Sequence, residues 1–282
     1  MKLIAESGST KTIWVALDDA GVELWRKSTI GLNPFFVDHV EVSKVFLVML
    51  GNTPKESIDS IQFYGASCSS PGRNNRIKDG IRNIIPNAEI SVNHDLLAAA
   101  RAGCGCEPGI AAILGTGSNS CEFNGQEIID NIHSMGFIIG DEGSGSDIGR
   151  RLVRSWIYRE MPQELAESFS NQFSITKESA LVSLYDKEKP NRFLAGLSQF
   201  CETYRGHHLI QEILVESFRE FIIRHLLKYE TAKKVPIHFV GSIAHYYEDE
   251  LKIQLEKEGL TMGKMIQSPI DALVNYHRSN AI

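Results

Sequence analysis

The stretch Glu6-Ser7-Gly8-Ser9-Thr10-Lys11-Thr12 sets a carboxylate, a glycine and a series of hydroxyls between two apolar runs. Small residues let a phosphate approach the backbone, and glycine permits the positive φ that turns several N–H groups inward. Gly8, Ser9, Thr10 and Lys11 are therefore candidate phosphate contacts. Glu6 is a candidate ligand for Mg²⁺, an ion that keeps most of its waters and takes few carboxylates. A plain hairpin turn is the alternative. The spacing is not that of a Walker loop. Gly115-Thr116-Gly117-Ser118-Asn119-Ser120 repeats the same composition after a second apolar run. Two such turns can hold the two ends of a triphosphate. Gly241-Ser242 follows the apolar run Pro236–Val240 and suits a phosphate or a ribose. Asp95 opens an alanine-rich helix; as its N-cap it is held ionised by the helix dipole and ready to take a hydroxyl proton. Gly140-Asp141-Glu142-Gly143-Ser144-Gly145-Ser146-Asp147 is a polar, glycine-rich loop, a composition that often serves function. Its Asp141 and Glu142 are candidates for sugar hydroxyls or a metal, and its Asp147 for a helix cap. Asn33, in Gly31-Leu32-Asn33-Pro34, reads by itself as a turn residue.

The elements that must position these residues follow from periodicity. Lys2–Glu6, Lys11–Leu17 and Val22–Lys27 are strands joined by hairpin-length turns. Helices are predicted over Val37–Met49 and Asp95–Ala102, and buried strands over Ile61–Ala66 and Ala88–Val92. A second unit begins near Ile110, with strands Ile110–Leu114 and Ser118–Phe123 before the turn Asn124-Gly125. The remainder is mostly helical: Ile148–Tyr158, Thr176–Tyr185, Gln211–Tyr229 and His245–Lys257. Strands at Pro236–Val240 and Thr261–Ile266 and a closing helix at Ile270–Tyr276 complete the chain. Strand, small-residue turn, strand thus occurs twice, a repeat of architecture without repeat of sequence.

Composition narrows the partners. With Lys plus Arg at 29 and Asp plus Glu at 35, the net charge is −6. That balance disfavours nucleic acid and anionic membrane surfaces, which reward clustered positive charge. Hydrophobic residues are 43% and charged residues 23%, ordinary for a globular chain. No signal-peptide pattern or membrane-length apolar run is visible, and the five cysteines are an odd number, so a reduced, cytoplasmic setting is expected. Neither the cysteines nor the nine histidines show zinc spacing.

Taken in order, Glu6–Thr12, Gly115–Asn119, Gly140–Gly143 and Val240–Ser242 resemble the phosphate, connecting and adenosine motifs of the acetate-and-sugar-kinase/Hsp70/actin superfamily. Within it, "GSTKT", "GLNP", "HD" before a helix, "GTGSN" and "GDEGS" resemble the N-acetylglucosamine kinase group, which is classed with the activating ATPases of benzoyl-CoA reductase and 2-hydroxyglutaryl-CoA dehydratase. The resemblance spans nearly the whole chain. It implies an α/β fold of two ribonuclease-H-like (actin-like ATPase) domains with an interdomain cleft, residues 1–109 with the closing helix 270–282 and residues 110–269. It implies a cytoplasmic homodimer that uses ATP and Mg²⁺ to phosphorylate the 6-hydroxyl of an amino sugar, N-acetylglucosamine first.

Carried across residue by residue, the resemblance gives Thr10 and Thr116 to the ATP phosphates and Gly241-Ser242 to the nucleotide. It gives Asn33, Asp95, Ser118, Asn119 and Asp141 to the sugar, with Asp95 as the base. Where animal members have Gly-Trp-Gly before the last loop, this chain has Ser134-Met135-Gly136, so the sugar wall is altered. Glu6 stands where many bacterial members have Asp, a side chain longer by about 1.5 Å. Two other functions are compatible with the same motifs: an ATPase activator with an interface iron–sulfur cluster on Cys104, Cys106 or Cys121, and a sugar or nucleotide sensor without catalysis.

Overall fold

A computed structural model describes residues 1–8, 10–185 and 189–279. The chain divides into two compact units, Met1–Cys106 with Ser268–Ile282, and Glu107–Gln267.

The first unit opens with β1 (Lys2–Ser7), β2 (Lys11–Leu17) and β3 (Glu23–Ile30), followed by α1 (His39–Leu50), β4 (Ser60–Gly65), α2 (Pro71–Arg82), β5 (Glu89–His94) and α3 (Asp95–Cys104). The strands form one sheet in the order β3-β2-β1-β4-β5. The first three pair antiparallel, and β1, β4 and β5 pair parallel. Alternation along β1 divides the core. Leu3 and Ala5 pack with Trp14, Phe46, Phe63, Ile77 and Ile81 on the side of α1 and α2. Ile4 faces the other side with Val15, Tyr64 and Ala98.

The second unit begins with β6 (Gly109–Leu114), β7 (Ser118–Phe123) and β8 (Ile128–Asp130). Its helices are α4 (Gly145–Ile157), α5 (Gln163–Phe173), α6 (Lys177–Tyr185), α7 (Pro190–Leu197), α8 (Phe200–Thr203), α9 (His208–Arg224), α10 (Ser242–Tyr246) and α11 (Glu248–Lys257), with β9 (Ile237–Val240) and β10 (Met262–Ile266) as its last strands. The sheet order is β10-β9-β6-β7-β8. In each unit the first strand is flanked by an antiparallel pair on one side and a parallel pair on the other, so the two sheets share one topology. Each unit's Gly-rich turn joins its first two strands. The closing helix, α12 (Ile270–Ser279), returns to the first unit, where Ile270, Leu273 and Val274 cover Ile4 and Tyr64.

The expected strands and helices recur with ends shifted by a few residues. The long helix expected over His245–Lys257 is two helices that meet at Tyr247, whose ring is buried and whose hydroxyl donates to the Ser198 carbonyl at 2.9 Å. Among the described residues, no helix is long and apolar enough to cross a membrane.

Candidate functional site

In the first unit the candidate residues gather at the C-terminal ends of β1, β4 and β5. Glu6 shares the Ile4 face of the sheet by alternation, the face covered by α3. Asp95 is the first residue of α3. Burial pushes the Glu6 carboxyl up to about 7, and the charge of Asp95 adds to the rise while Lys11 opposes it. The two acids therefore share one small volume.

Asp95 is not the N-cap of α3. That position is His94, whose Nδ1 accepts the Leu96 N–H at 3.3 Å. With Nδ1 accepting, the ring proton sits on Nε2, 3.2 Å from Asp95 Oδ1. Contrary to the sequence expectation, the helix start does not win over burial: desolvation raises the Asp95 carboxyl above the usual range, and His94 and the neighbouring backbone N–H groups only moderate the rise. Its side chain is still 29% exposed, open enough to meet a hydroxyl.

Between β1 and β2, Gly8 N–H closes on the Lys11 carbonyl at 3.0 Å, and Thr10 and Lys11 lie exposed at the tip. Ser9 lies outside the described residues. Beneath the tip, the buried Ser7 and Thr12 hydroxyls meet at 2.8 Å and both accept the Leu32 N–H. Sequence reading did not find this pair. It ties the turn to the loop that carries Asn33. Asn33 is 5% exposed; its Oδ1 accepts the Phe35 N–H at 2.9 Å and its Nδ2 donates to Ser67 Oγ at 3.2 Å.

The second unit gathers its own candidates. Gly115-Thr116-Gly117 is a tight turn closed by Gly115 N–H on the Gly117 carbonyl. The first N–H groups of α4, from Gly145 and Ser146, donate to the carbonyls of Gly115 and Thr116 at 2.8 and 3.1 Å. Gly241, at φ +124°, lies so close that a Cβ there would stand 2.3 Å from the Leu114 carbonyl oxygen. Ser242, the first residue of α10, follows it. Gly117 is pressed against Asp141 instead, because a Cβ there would meet both carboxylate oxygens at 2.9 Å.

Asp141 has a left-handed backbone, φ +59°. Its Oδ1 accepts from Ser134 Oγ at 2.7 Å and from Ser118 N–H at 3.1 Å. Burial raises its carboxyl above the usual range, and the Ser134 and Ser118 bonds pull it back. Ser134 Oγ also receives the N–H groups of Asp141 and Gly136, so this one hydroxyl folds the 134–141 loop. Met135, between them, is exposed. Ser118 Oγ is buried and has no partner among the described residues, an orphan hydroxyl of the kind a ligand satisfies. Asn119 has its Oδ1 taken by Ser120 N–H and Asn131 Nδ2.

Glu142 turns away from Asp141 and toward α9, with His225 Nε2 at 3.2 Å and Arg224 Nε at 3.5 Å. Asp147 does not cap α4. Ser144 does, and the fully buried Asp147 carboxylate gathers Ser217 Oγ, Arg150 and Arg151 to anchor the loop.

Of the cysteines, Cys121 is fully buried in β7 and Cys104 is buried in α3, whereas Cys106 is exposed. Among the described residues, no group of three His, Cys, Asp or Glu side chains is spaced to hold a metal. A cavity of about 280 Å³ in the first unit, lined by Lys2, Asp18, Asp59 and His277, lies at the opposite end of the sheet from these residues.

No protein-family model matches the chain, and no curated protein matches it. Solved structures do. A candidate N-acetylglucosamine kinase from Porphyromonas gingivalis is 39% identical, with all of both chains covered and a TM-score of 0.94. A second, from Chromobacterium violaceum, is 15% identical over 98% of each chain, TM-score 0.76. A ROK family glucokinase from Streptomyces griseus, solved with glucose and AMPPNP, is 13% identical over 98% of this chain and 97% of that one, TM-score 0.57. The last two share the fold.

Proposed function

The chain belongs to the N-acetylglucosamine kinase-like family of actin-like ATPases and is a sugar kinase; on that premise we propose that it transfers the γ-phosphoryl group of ATP to the 6-hydroxyl of an amino sugar, N-acetylglucosamine first. One observation carries the reading: Asp95, a carboxylate made more basic by burial, stands beside Glu6 with a neighbouring imidazole N–H to orient it.

In this reading Asp95 takes the proton of the acceptor hydroxyl as the oxygen attacks the γ-phosphorus. The bond from that phosphorus to the β–γ bridging oxygen breaks, and ADP leaves with the electron pair. His94 Nε2–H holds Asp95 Oδ1, which leaves Oδ2 to receive the proton. A base whose pKa is raised toward neutrality is better matched to a hydroxyl than an ordinary aspartate. Positioning and charge neutralisation do most of the remaining work in such transfers. Gly8, Ser9, Thr10 and Lys11 of the first unit and Gly115, Thr116 and Gly117 of the second are assigned to phosphate, and Gly241 and Ser242 to the nucleoside end. Asn33, Ser118, Asn119, Ser134, Met135, Gly136 and Asp141 are assigned to the acceptor.

Glu6 would hold a hydrated magnesium ion, and its environment fits one: it is a hard oxygen donor whose ionised form is opposed by burial and by Asp95, a burden that a divalent cation relieves. The ion supplies charge neutralisation to the phosphates. The activator reading is the weaker one, because a cluster at an interface needs several presented thiolates, and of its three candidate cysteines Cys104 and Cys121 are buried and Cys106 alone is exposed.

The test is coupled ADP release with N-acetylglucosamine, N-acetylmuramic acid, glucosamine, glucose and water as separate acceptors. N-acetylglucosamine is expected to give the highest kcat/KM, and release no faster than the water blank with every sugar overturns the reading. Asp95→Asn is expected to lower kcat by about 10²–10⁴-fold while ATP still binds. Unchanged turnover in that variant removes Asp95 from the mechanism.

A further inference from the structure

Ser67 is one of five non-glycine residues with positive φ among the described residues, at +67°. It sits in a four-residue turn after β4, closed by Cys68 N–H on the Gly65 carbonyl at 3.2 Å. Third place in such a turn is where glycine is favoured when φ is positive. A serine there is strained, and strain of this kind persists only where the surroundings enforce it, most often at a functional site.

The surroundings do enforce it. Ala66 N–H donates to the Ser7 carbonyl at 2.9 Å, fixing the turn to the end of β1 one residue past Glu6. The next residue, Cys68, is buried, and its thiol is pushed up first by burial and then by the charge of Asp95, which places it beside the proposed base. On the other side Ser67 Oγ accepts the Asn33 amide at 3.2 Å. The turn therefore lies between Glu6, Asp95 and Asn33, all within the first unit. Asn33 itself has little left to offer. It is nearly buried, its Oδ1 serves Phe35, and one Nδ2 hydrogen serves Ser67. Ser67 is only half-buried, and its hydroxyl proton is given to no acceptor among the described residues.

We propose that Ser67 is an acceptor-binding residue: its oxygen takes the Asn33 amide hydrogen, which aims its own O–H outward as a donor to an oxygen of the bound sugar. Asn33 then acts largely through Ser67, as the residue that sets the direction of that hydrogen. The strained backbone is what brings the hydroxyl over Asn33; a relaxed residue at this turn would not hold it there.

The inference rests on the sugar kinase reading, and the experiment separates the two. Ser67→Ala removes the hydroxyl and keeps the strain; Ser67→Gly removes both. Steady-state kinetics with N-acetylglucosamine and ATP, together with thermal melting of the protein alone, should show the acceptor KM rising about ten-fold or more in each variant. The KM for ATP should stay within about two-fold, and the Tm of Ser67→Gly should equal or exceed that of the parent, because glycine suits positive φ. An acceptor KM unchanged in both variants overturns the proposal. So does a parallel rise of both KM values with a lower Tm in Ser67→Gly, the mark of a residue that only shapes the loop. A parent enzyme with no sugar-dependent ADP release overturns the kinase reading itself, and this inference with it.

Discussion

Glu6 and Asp95 are both carboxylates taken out of water in the first unit, each raised first by burial, and the charge of Asp95 makes Glu6 harder still to ionise. A folded protein that raises a carboxyl pKa favours the protonated form, so stability falls as pH rises from the unfolded value to the folded one. For Glu6 that window runs from 4.5 to about 7. Glu6→Gln, which cannot ionise, should therefore stabilise the metal-free protein at pH 8 by about 1–3 kcal/mol and give no gain below pH 4.5. Urea unfolding across that range checks the sign; a gain that does not vary with pH refutes an electrostatic origin. The same variant should lose the extra stability that MgATP confers on the parent, since the carboxylate that would hold the ion is gone. Asp141 meets the same problem differently. It is buried, but Ser134 and Ser118 give one oxygen two donors and pull its carboxyl back toward ordinary behaviour. A serine in place of the glycine of animal relatives thus has a definite task here, invisible until the loop is folded.

At the level of elements, glycines mark where backbones must touch. Gly241 combines a close approach with a positive φ: its φ is +124°, and a Cβ would stand 2.3 Å from the Leu114 carbonyl oxygen. Gly241→Ala should therefore push β9 and α10 off the Gly115–Gly117 turn. We expect a loss of about 1–3 kcal/mol in stability, and ATP affinity weakened more than sugar affinity, read by calorimetric titration of each ligand. Equal weakening of both would mean that the corner serves the whole unit and not the nucleotide end. The hairpins around both Gly-rich turns could be read from alternation, and Lys11–Leu17 and Ser118–Phe123 are found at those ends. α2 could not be read. It has only Ile77, Gly80 and Ile81 as buried residues, and it forms because Pro71 starts it and Gly80 lets it press on Val42 and the His39 carbonyl of α1. α5 hides for a similar reason, with Leu165 and Phe169 alone buried. The chemistry-bearing positions were visible as residue types at turns. Of their partners, His94 adjoins Asp95 and was legible as the HD pair, whereas Ser67 for Asn33 and Ser134 for Asp141 depend on which loops fold against one another, and spacing along the chain carries no trace of that.

The chain makes one sheet topology twice, and it finishes the first copy last. α12 follows the whole second unit and supplies Ile270, Leu273 and Val274 to the face that holds Ile4, Tyr64 and Ala98. That face cannot be sealed until the last turns of the chain are in place, so the stability of the first unit depends on α12. A polar network pins the helix there. Arg101 of α3 donates to the Tyr64 hydroxyl at 2.5 Å, and Tyr64 in turn lies 2.8 Å from His277 Nε2. With Arg101 occupying the phenol oxygen as a donor, Tyr64 gives its proton to the imidazole, which must be neutral to accept it. Burial, then the charges of Arg101 and Lys2, lower the His277 pKa to about 4. A depressed histidine contributes stability that is present above its unfolded pKa near 6.5 and is lost as pH falls through about 4. Glu6 runs the opposite way over nearly the same interval, gaining as pH falls from about 7 to 4.5. The two partly cancel, so the parent protein should show a shallow dependence between pH 7 and 4.5 and a steeper loss below. His277→Gln keeps a hydrogen-bond acceptor for Tyr64 but cannot titrate. It should flatten the acid side of the profile while leaving stability above pH 6.5 within about 1 kcal/mol of the parent. Amide exchange of β1 and β4 peptides, followed by mass spectrometry from pH 7 to 4, reads the first unit apart from the second. If β1 and β4 in the variant open as readily at pH 4 as in the parent, His277 is not the group that loosens α12 in acid.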